Sequence, residues 1–116
     1  MTKDYLGEFE QLILLAVLGL KDNAYGMTVR REIHERTGRD VAIGAVYTTL
    51  DRLEAKGLVT SWVADATQER GGRAKRFFKL EAAGQRALKD TLTATTRMVK
   101  GLESKLGLPR FQPSRG

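Results

Sequence analysis

The sequence predicts a mainly α-helical fold of the α+β class: a winged helix-turn-helix domain, with three helices and a two-stranded β wing, followed by a long C-terminal helix. Three observations carry this. Apolar residues recur at helical spacing in three successive segments before Gly57. Two β-branched and aromatic runs flank a polar loop that ends in glycines. The last long segment carries a leucine-rich seam.

The first helix is expected over Glu8–Leu20, where Phe9, Leu12, Ile13, Ala16, Val17 and Leu20 keep one face apolar. Leu14, Leu15 and Leu18 widen that stripe, so the helix should be covered on more than one side, a second chain being one cover. Lys21-Asp22-Asn23 reads as a turn and cap before a second helix over 24–36, with Tyr25, Val29 and Ile33 as its narrow apolar stripe. Gly38 suits the left-handed position that ends it. A third helix is expected over 43–56, with Ile43, Val46, Tyr47, Leu50 and Leu53 on one side and Gly57 as its stop. The run 58–63 reads as a strand, 64–72 as a loop and 75–80 as the returning strand. On that strand Phe78 and Leu80 should face in, and Lys75, Phe77 and Lys79 out. Residues 81–106 read as one long helix. The division is therefore 1–80 for the winged domain, 81–107 for a dimerisation helix and 108–116 for a flexible tail.

With 116 residues, 41% of them hydrophobic, the chain is expected to form one domain with one modest core. Its 20 Lys and Arg against 14 Asp and Glu give a net charge of +6, which favours a polyanionic partner. There is no cysteine, which excludes disulfides and thiolate metal sites. The longest apolar run, 12–18, is far short of the roughly 20 residues of a membrane span. The N-terminus lacks the order of a signal peptide, so the expected location is cytoplasmic, without membrane contact. His34 stands alone, and no nucleophile elbow, phosphate loop or carboxylate pair accompanies it. No enzyme activity, cofactor or metal is expected.

Three constellations point to function. Between Asp65 and Leu80 lie Arg70, Arg73, Lys75, Arg76 and Lys79 against only Asp65 and Glu69. Gly71 and Gly72 would let this tip approach a phosphate backbone, so Arg70, Arg73, Lys75 and Arg76 are candidate phosphate contacts. With its apolar residues assigned to the core, the third helix presents Ala45, Thr48, Thr49 and Arg52. Short residues allow a helix deep into the major groove, threonine can bond a base or touch a thymine methyl, and arginine reaches phosphate or guanine. Tyr47 is read both ways, with its ring at the domain edge and its hydroxyl reaching outward. In the last helix Leu88, Leu92, Thr95, Val99, Leu102 and Leu106 are spaced 4, 3, 4, 3, 4, a heptad seam. A helix of roughly 35–40 Å at 1.5 Å per residue is too long for so small a domain to cover. The seam is expected to meet the first helix, through Leu14 and Leu15, and the same helix of a second chain. A two-fold dimer would set two recognition helices one DNA turn apart on a pseudo-palindrome.

Read together, several stretches resemble the PadR-type transcriptional regulators, in the short form with a single C-terminal helix. The resemblance covers about residues 6–90. It rests on LGEFE with LILLAVL from Leu6, on AYGM from Ala24, on GAVYTTLDRLEAKGLV from Gly44, on GRAKRFFKL from Gly72, and on Ala83-Gly84. It implies a homodimeric repressor of double-stranded DNA, with the helix of Tyr47 in the major groove, a basic wing around Arg73, Lys75 and Arg76, and dimerisation through the C-terminal helix. It also implies a candidate small hydrophobic or aromatic effector that releases DNA. Thr48 stands where proline is frequent in the family, Phe77-Phe78 where tyrosines are, and Glu81 where a threonine commonly caps. A second reading is a winged-helix adaptor whose basic face meets an acidic protein, without sequence-specific DNA binding. A third is effector capture as the main event, with Trp62 and Phe77 as stacking surfaces.

Overall fold

Ile13, Leu14, Ala16 and Val17 put one face of the first helix, α1 (Glu8–Leu20), inside the molecule. The computed structural model describes residues 5–64 and 75–109. Leu14 is fully buried in the core of its own chain, so it cannot serve the interchain contact its sequence position suggested. Leu15 and Leu18 are the exposed apolar residues of α1.

A short 3-10 turn, Lys21–Asn23, leads to α2 (Gly26–Thr37). This helix starts two residues later than periodicity predicts, because the residues before it are extended. The Phe78 N–H donates to the Ala24 carbonyl at 2.8 Å, and Tyr25 forms an isolated bridge with Phe77. Thr28, rather than Asn23, secures the helix start: its Oγ1 accepts the Tyr25 N–H at 2.9 Å and donates to the Asn23 carbonyl at 2.7 Å. Gly38, at φ 75°, ends α2 as expected.

Helix α3 (Ile43–Ala55) buries Val46, Leu50 and Leu53. After Gly57, also at positive φ, β1 (Val59–Ala64) pairs antiparallel with β2 (Lys75–Leu80), from Val59 opposite Leu80 to Ala64 opposite Lys75. Val59 and Phe78 on one sheet face enter the core with Val29 and Ile33 of α2. Trp62 and Phe77 lie on the other face, stacked with ring centres 5.9 Å apart, and Tyr25 meets Phe77 edge-on at 5.4 Å. Phe77 therefore points away from the core, as alternation predicts, yet is half-covered by these two rings.

Helix α4 (Ala82–Val99) is seated at its start and released at its end. The Glu81 N–H donates to the Leu58 carbonyl at 2.9 Å, and Gly84 passes so close to that carbonyl that a Cβ would collide with it. The Leu6 N–H donates to Thr91 Oγ1 at 3.0 Å. Leu88 is buried here, in its own chain's core and not on a free seam. The predicted single helix over 81–106 is two: α4 stops at Val99, Gly101 takes φ 88°, and a short α5 (Glu103–Leu106) follows. Counting leucines across Lys100-Gly101 hid this break, because a left-handed glycine ends a helix without disturbing the apolar spacing. Leu102 and Leu106 thus leave the line of Leu92, Thr95 and Val99. The described residues extend 54 × 35 × 32 Å. Among them no helix is long and apolar enough to cross a membrane.

Candidate nucleic-acid interface

Helix α3 offers an outer face because its inner face is so completely apolar. Gly44, Ala45 and Thr48 are exposed, small, and on the side opposite Val46, Leu50 and Leu53. The Arg30 Nε donates to the Val41 carbonyl at 2.9 Å, which fixes the segment entering this helix. Thr49 departs from its predicted place: it is only 4% exposed and packs inward, one position along from Thr48 and about 100° around the helix. The outward set is therefore Ala45, Tyr47, Thr48 and Arg52.

Tyr47 is 38% exposed, and the tip of its ring lies on Gly26 at the start of α2. A Cβ at position 26 would overlap the ring carbon and hydroxyl. Of the two roles read for Tyr47, packing at the domain edge is visible. Gly26 lies in the AYGM stretch, but nothing in the sequence pairs it with Tyr47.

The charges around α3 are mostly tied. Glu10 of α1, nearly buried, accepts the Gly7 N–H at 2.9 Å, meets Lys56 Nζ at 3.0 Å and lies 3.9 Å from Arg52. Burial opposes its charge, but the Gly7 N–H, Lys56 and Arg52 together hold its carboxyl below the usual value. Across the helix, Arg76 of β2 donates to Asp51 Oδ1 at 2.7 Å and pairs with Glu54. Its Nε donates to Ser61 Oγ at 3.1 Å, and that hydroxyl donates to Glu54 Oε2 at 2.6 Å. The Ser61 hydrogen bond, outweighing burial and aided by Arg76, holds the Glu54 carboxyl below its usual value. Arg76 was expected to face phosphate, and instead its guanidinium is engaged within the fold. Sequence reading missed Glu10, Asp51 and Glu54 as partners. The signal available was the acidic pair at i and i+3 on α3, but not which strand residue would meet it.

Lys75 and Lys79 are exposed on the wing. Lys75 Nζ lies 4.5 Å above the Tyr25 ring and 3.4 Å from its hydroxyl. Arg70 and Arg73 lie outside the described residues. Among the residues expected at a dimer contact, Leu15, Leu92, Thr95, Leu102 and Leu106 are exposed and Val99 is half-buried. A cleft of about 630 Å³ opens between the end of α1 and the outer sheet face, lined by Val17, Leu18, Trp62 and Leu80 with Lys21, Asp22 and Lys79. Trp62 is 42% exposed there. Among the described residues no cluster of histidine or acidic residues could hold a metal ion.

The model of the transcriptional regulator PadR-like family matches residues 14–90. The structure of a PadR family transcription regulator from Clostridium difficile R20291 is similar at a TM-score of 0.72 and 26% identity, covering 87% of this chain and 100% of that one. A PadR-like transcription factor from Bacteroides fragilis is similar at 0.66 and 23% identity, covering 84% and 88%. PadR of Bacillus subtilis, solved in complex with operator DNA, is similar at 0.62 and 17% identity, covering 93% of this chain and 51% of that one. Among curated proteins no sequence matches.

Proposed function

The chain belongs to the PadR-like family of transcriptional regulators, DNA-binding proteins and not enzymes, and from that premise we propose that it acts as a homodimeric repressor reading a pseudo-palindromic operator. The observation that carries the proposal is the exposed small-residue face of α3, with Ala45 and Thr48 outermost, joined through Arg76 to a basic wing. In this reading α3 enters the major groove and Thr48 meets base edges. Arg70, Arg73 and Lys75 neutralise phosphates. Arg52 reaches the backbone at the helix end.

Exposed Leu15 and Leu18 on α1, with Leu92 and Met98 on the free end of α4, support the dimer. Large apolar residues left exposed on two helices of one chain can be covered by a second copy through two-fold symmetry. The cleft at Trp62 is the site we assign to a small hydrophobic or aromatic effector, with Trp62 as its stacking surface. Titrating aromatic compounds against Trp62 fluorescence tests this, and a flat response across many compounds removes the effector.

The decisive experiment measures anisotropy of a labelled duplex from the gene's own upstream region, against a shuffled duplex, at two salt concentrations. Tight binding lost on shuffling, with steep salt dependence, is expected. Equal, weak binding to both would favour the adaptor reading, in which the basic face meets an acidic protein.

A further inference from the structure

Arg76 sits where a phosphate contact would be expected, yet all three nitrogens of its guanidinium are engaged within the fold. One terminal nitrogen donates to Asp51 Oδ1 at 2.7 Å, the other pairs with Glu54, and Nε donates to Ser61 Oγ at 3.1 Å. Ser61 closes the ring by donating to Glu54 Oε2 at 2.6 Å. The guanidinium carbon lies 4.8 Å from the centre of the Phe78 ring, which is itself fully buried. Four side chains from three elements thus form one closed network: two from α3, one from β1 and one from β2. Only a planar fork of donors can satisfy three acceptors in this way.

Asp51 lies one turn beyond Tyr47 and Thr48, so its carboxylate sits beside the outward face of α3. Glu54 follows at the next helical neighbour position. Left uncovered, these two negative charges would repel a phosphate backbone. Arg76 between them offsets one of the two charges and pairs with both carboxylates, and the wing is joined to the helix at the same point.

We propose that Arg76 is a positioning residue for DNA binding: it clamps the wing to the recognition helix and masks Asp51 and Glu54, rather than neutralising a phosphate itself. The inference rests on α3 and the wing being the DNA-binding surface. It separates two roles that the basic run 70–79 would otherwise share. Arg76 sets geometry, and its neighbours supply charge.

Lysine at this position decides between the roles. It keeps the positive charge, so it would preserve a phosphate contact, but it cannot span three acceptors. The test compares wild type, Arg76→Lys, Arg76→Gln and Lys75→Gln on one mixed-sequence duplex across a salt series. Both Arg76 variants should lose affinity roughly three- to tenfold, and Arg76→Lys, which keeps the charge, should keep the wild-type slope of log K against log salt. Lys75→Gln should lower the slope by about one unit. An Arg76→Lys variant that binds like wild type, together with a slope lowered by about one in Arg76→Gln, would overturn the proposal. Amide hydrogen exchange without DNA gives an independent reading. Both Arg76 variants should exchange faster along Val59–Ala64 and Lys75–Leu80, and unchanged exchange would refute the clamp. Wild type that binds no duplex at all would sink the DNA-binding reading instead, while exchange would still decide the clamp.

Discussion

Replacing Gly26 by alanine sets two effects of opposite sign against each other. Alanine is the better helix former, by at most about 1 kcal/mol, and less at a first helical position. Against this, the new Cβ would occupy the place of the Tyr47 ring tip, so the ring must swing out. Tyr47 is 38% exposed, so about three-fifths of its surface is covered. Scaled from the 1.5–3 kcal/mol of a fully buried large side chain, losing that cover costs about 1–2 kcal/mol. Gly26→Ala should therefore destabilise wild type by about 1 kcal/mol. In a Tyr47→Ala background the collision is absent, so the same change should be neutral or stabilise by up to about 0.5 kcal/mol. Urea denaturation of the four proteins gives the coupling directly. Equal destabilisation in both backgrounds would refute the reasoning, since the ring would then have nothing to do with the cost. A displaced Tyr47 would also sit on the outward face of α3, so Gly26→Ala should weaken DNA binding at temperatures where the protein remains folded.

Gly84→Ala meets a backbone carbonyl that cannot rotate away, so it should cost about 1–3 kcal/mol after its helix gain, read as a lower urea midpoint. Glu10→Gln removes the carboxylate that meets Lys56 while α1 stays in place, and should lower stability by about 1 kcal/mol by the same measurement. Both Glu10 and Glu54 have depressed folded values. Their contribution is therefore present above the unfolded carboxylate pKa, about 4.3, and is lost as pH falls through the folded values. Acid unfolding followed by circular dichroism should be less steep in the doubly neutralised Glu10→Gln, Glu54→Gln protein. The proposed dimer is tested by Leu15→Glu and Leu92→Glu: wild type should sediment as a dimer and each variant as a monomer, with helicity intact.

How much was readable in advance depended on whether a local pattern was enough. The bounds of α1 and β2 follow from periods of 3.6 and 2 that involve no distant residue. The start of α2 did not, because Ala24 and Tyr25 are held extended by Phe77 and Phe78, some fifty residues on. The end of α4 was missed since apolar spacing continues unbroken through Gly101, while backbone conformation does not. On α3, the outward placement of Ala45 and Thr48 was legible from the helix wheel. Thr49 was misplaced by about one helical position, the usual ambiguity at the border of an apolar stripe. Arg76 was misread because charge in a basic run looks alike until its acidic partners on another element are known.

The tying of charge around α3 has a consequence for how affinity and specificity divide. Lys56 pairs with Glu10 and Arg52 lies 3.9 Å from it, while Asp51 and Glu54 are paired with Arg76. Apart from Arg52, the helix thus brings little unpaired charge to its outer face, where Ala45 and Thr48 are small. In the proposed mode of DNA binding, affinity common to all sequences then comes chiefly from the wing, and sequence preference from the helix. Replacing Arg73 and Lys75 together by alanine should lower the salt slope by about two units, at about 0.9 per phosphate, and weaken operator and shuffled duplex alike. Thr48→Val keeps the shape and removes the hydroxyl. It should leave the slope unchanged and reduce preference for the operator by about tenfold if a base bond is lost. The reverse pattern, with preference lost from the wing variant and the slope lost from Thr48→Val, would mean that the wing reads the sequence and α3 only rests on the backbone.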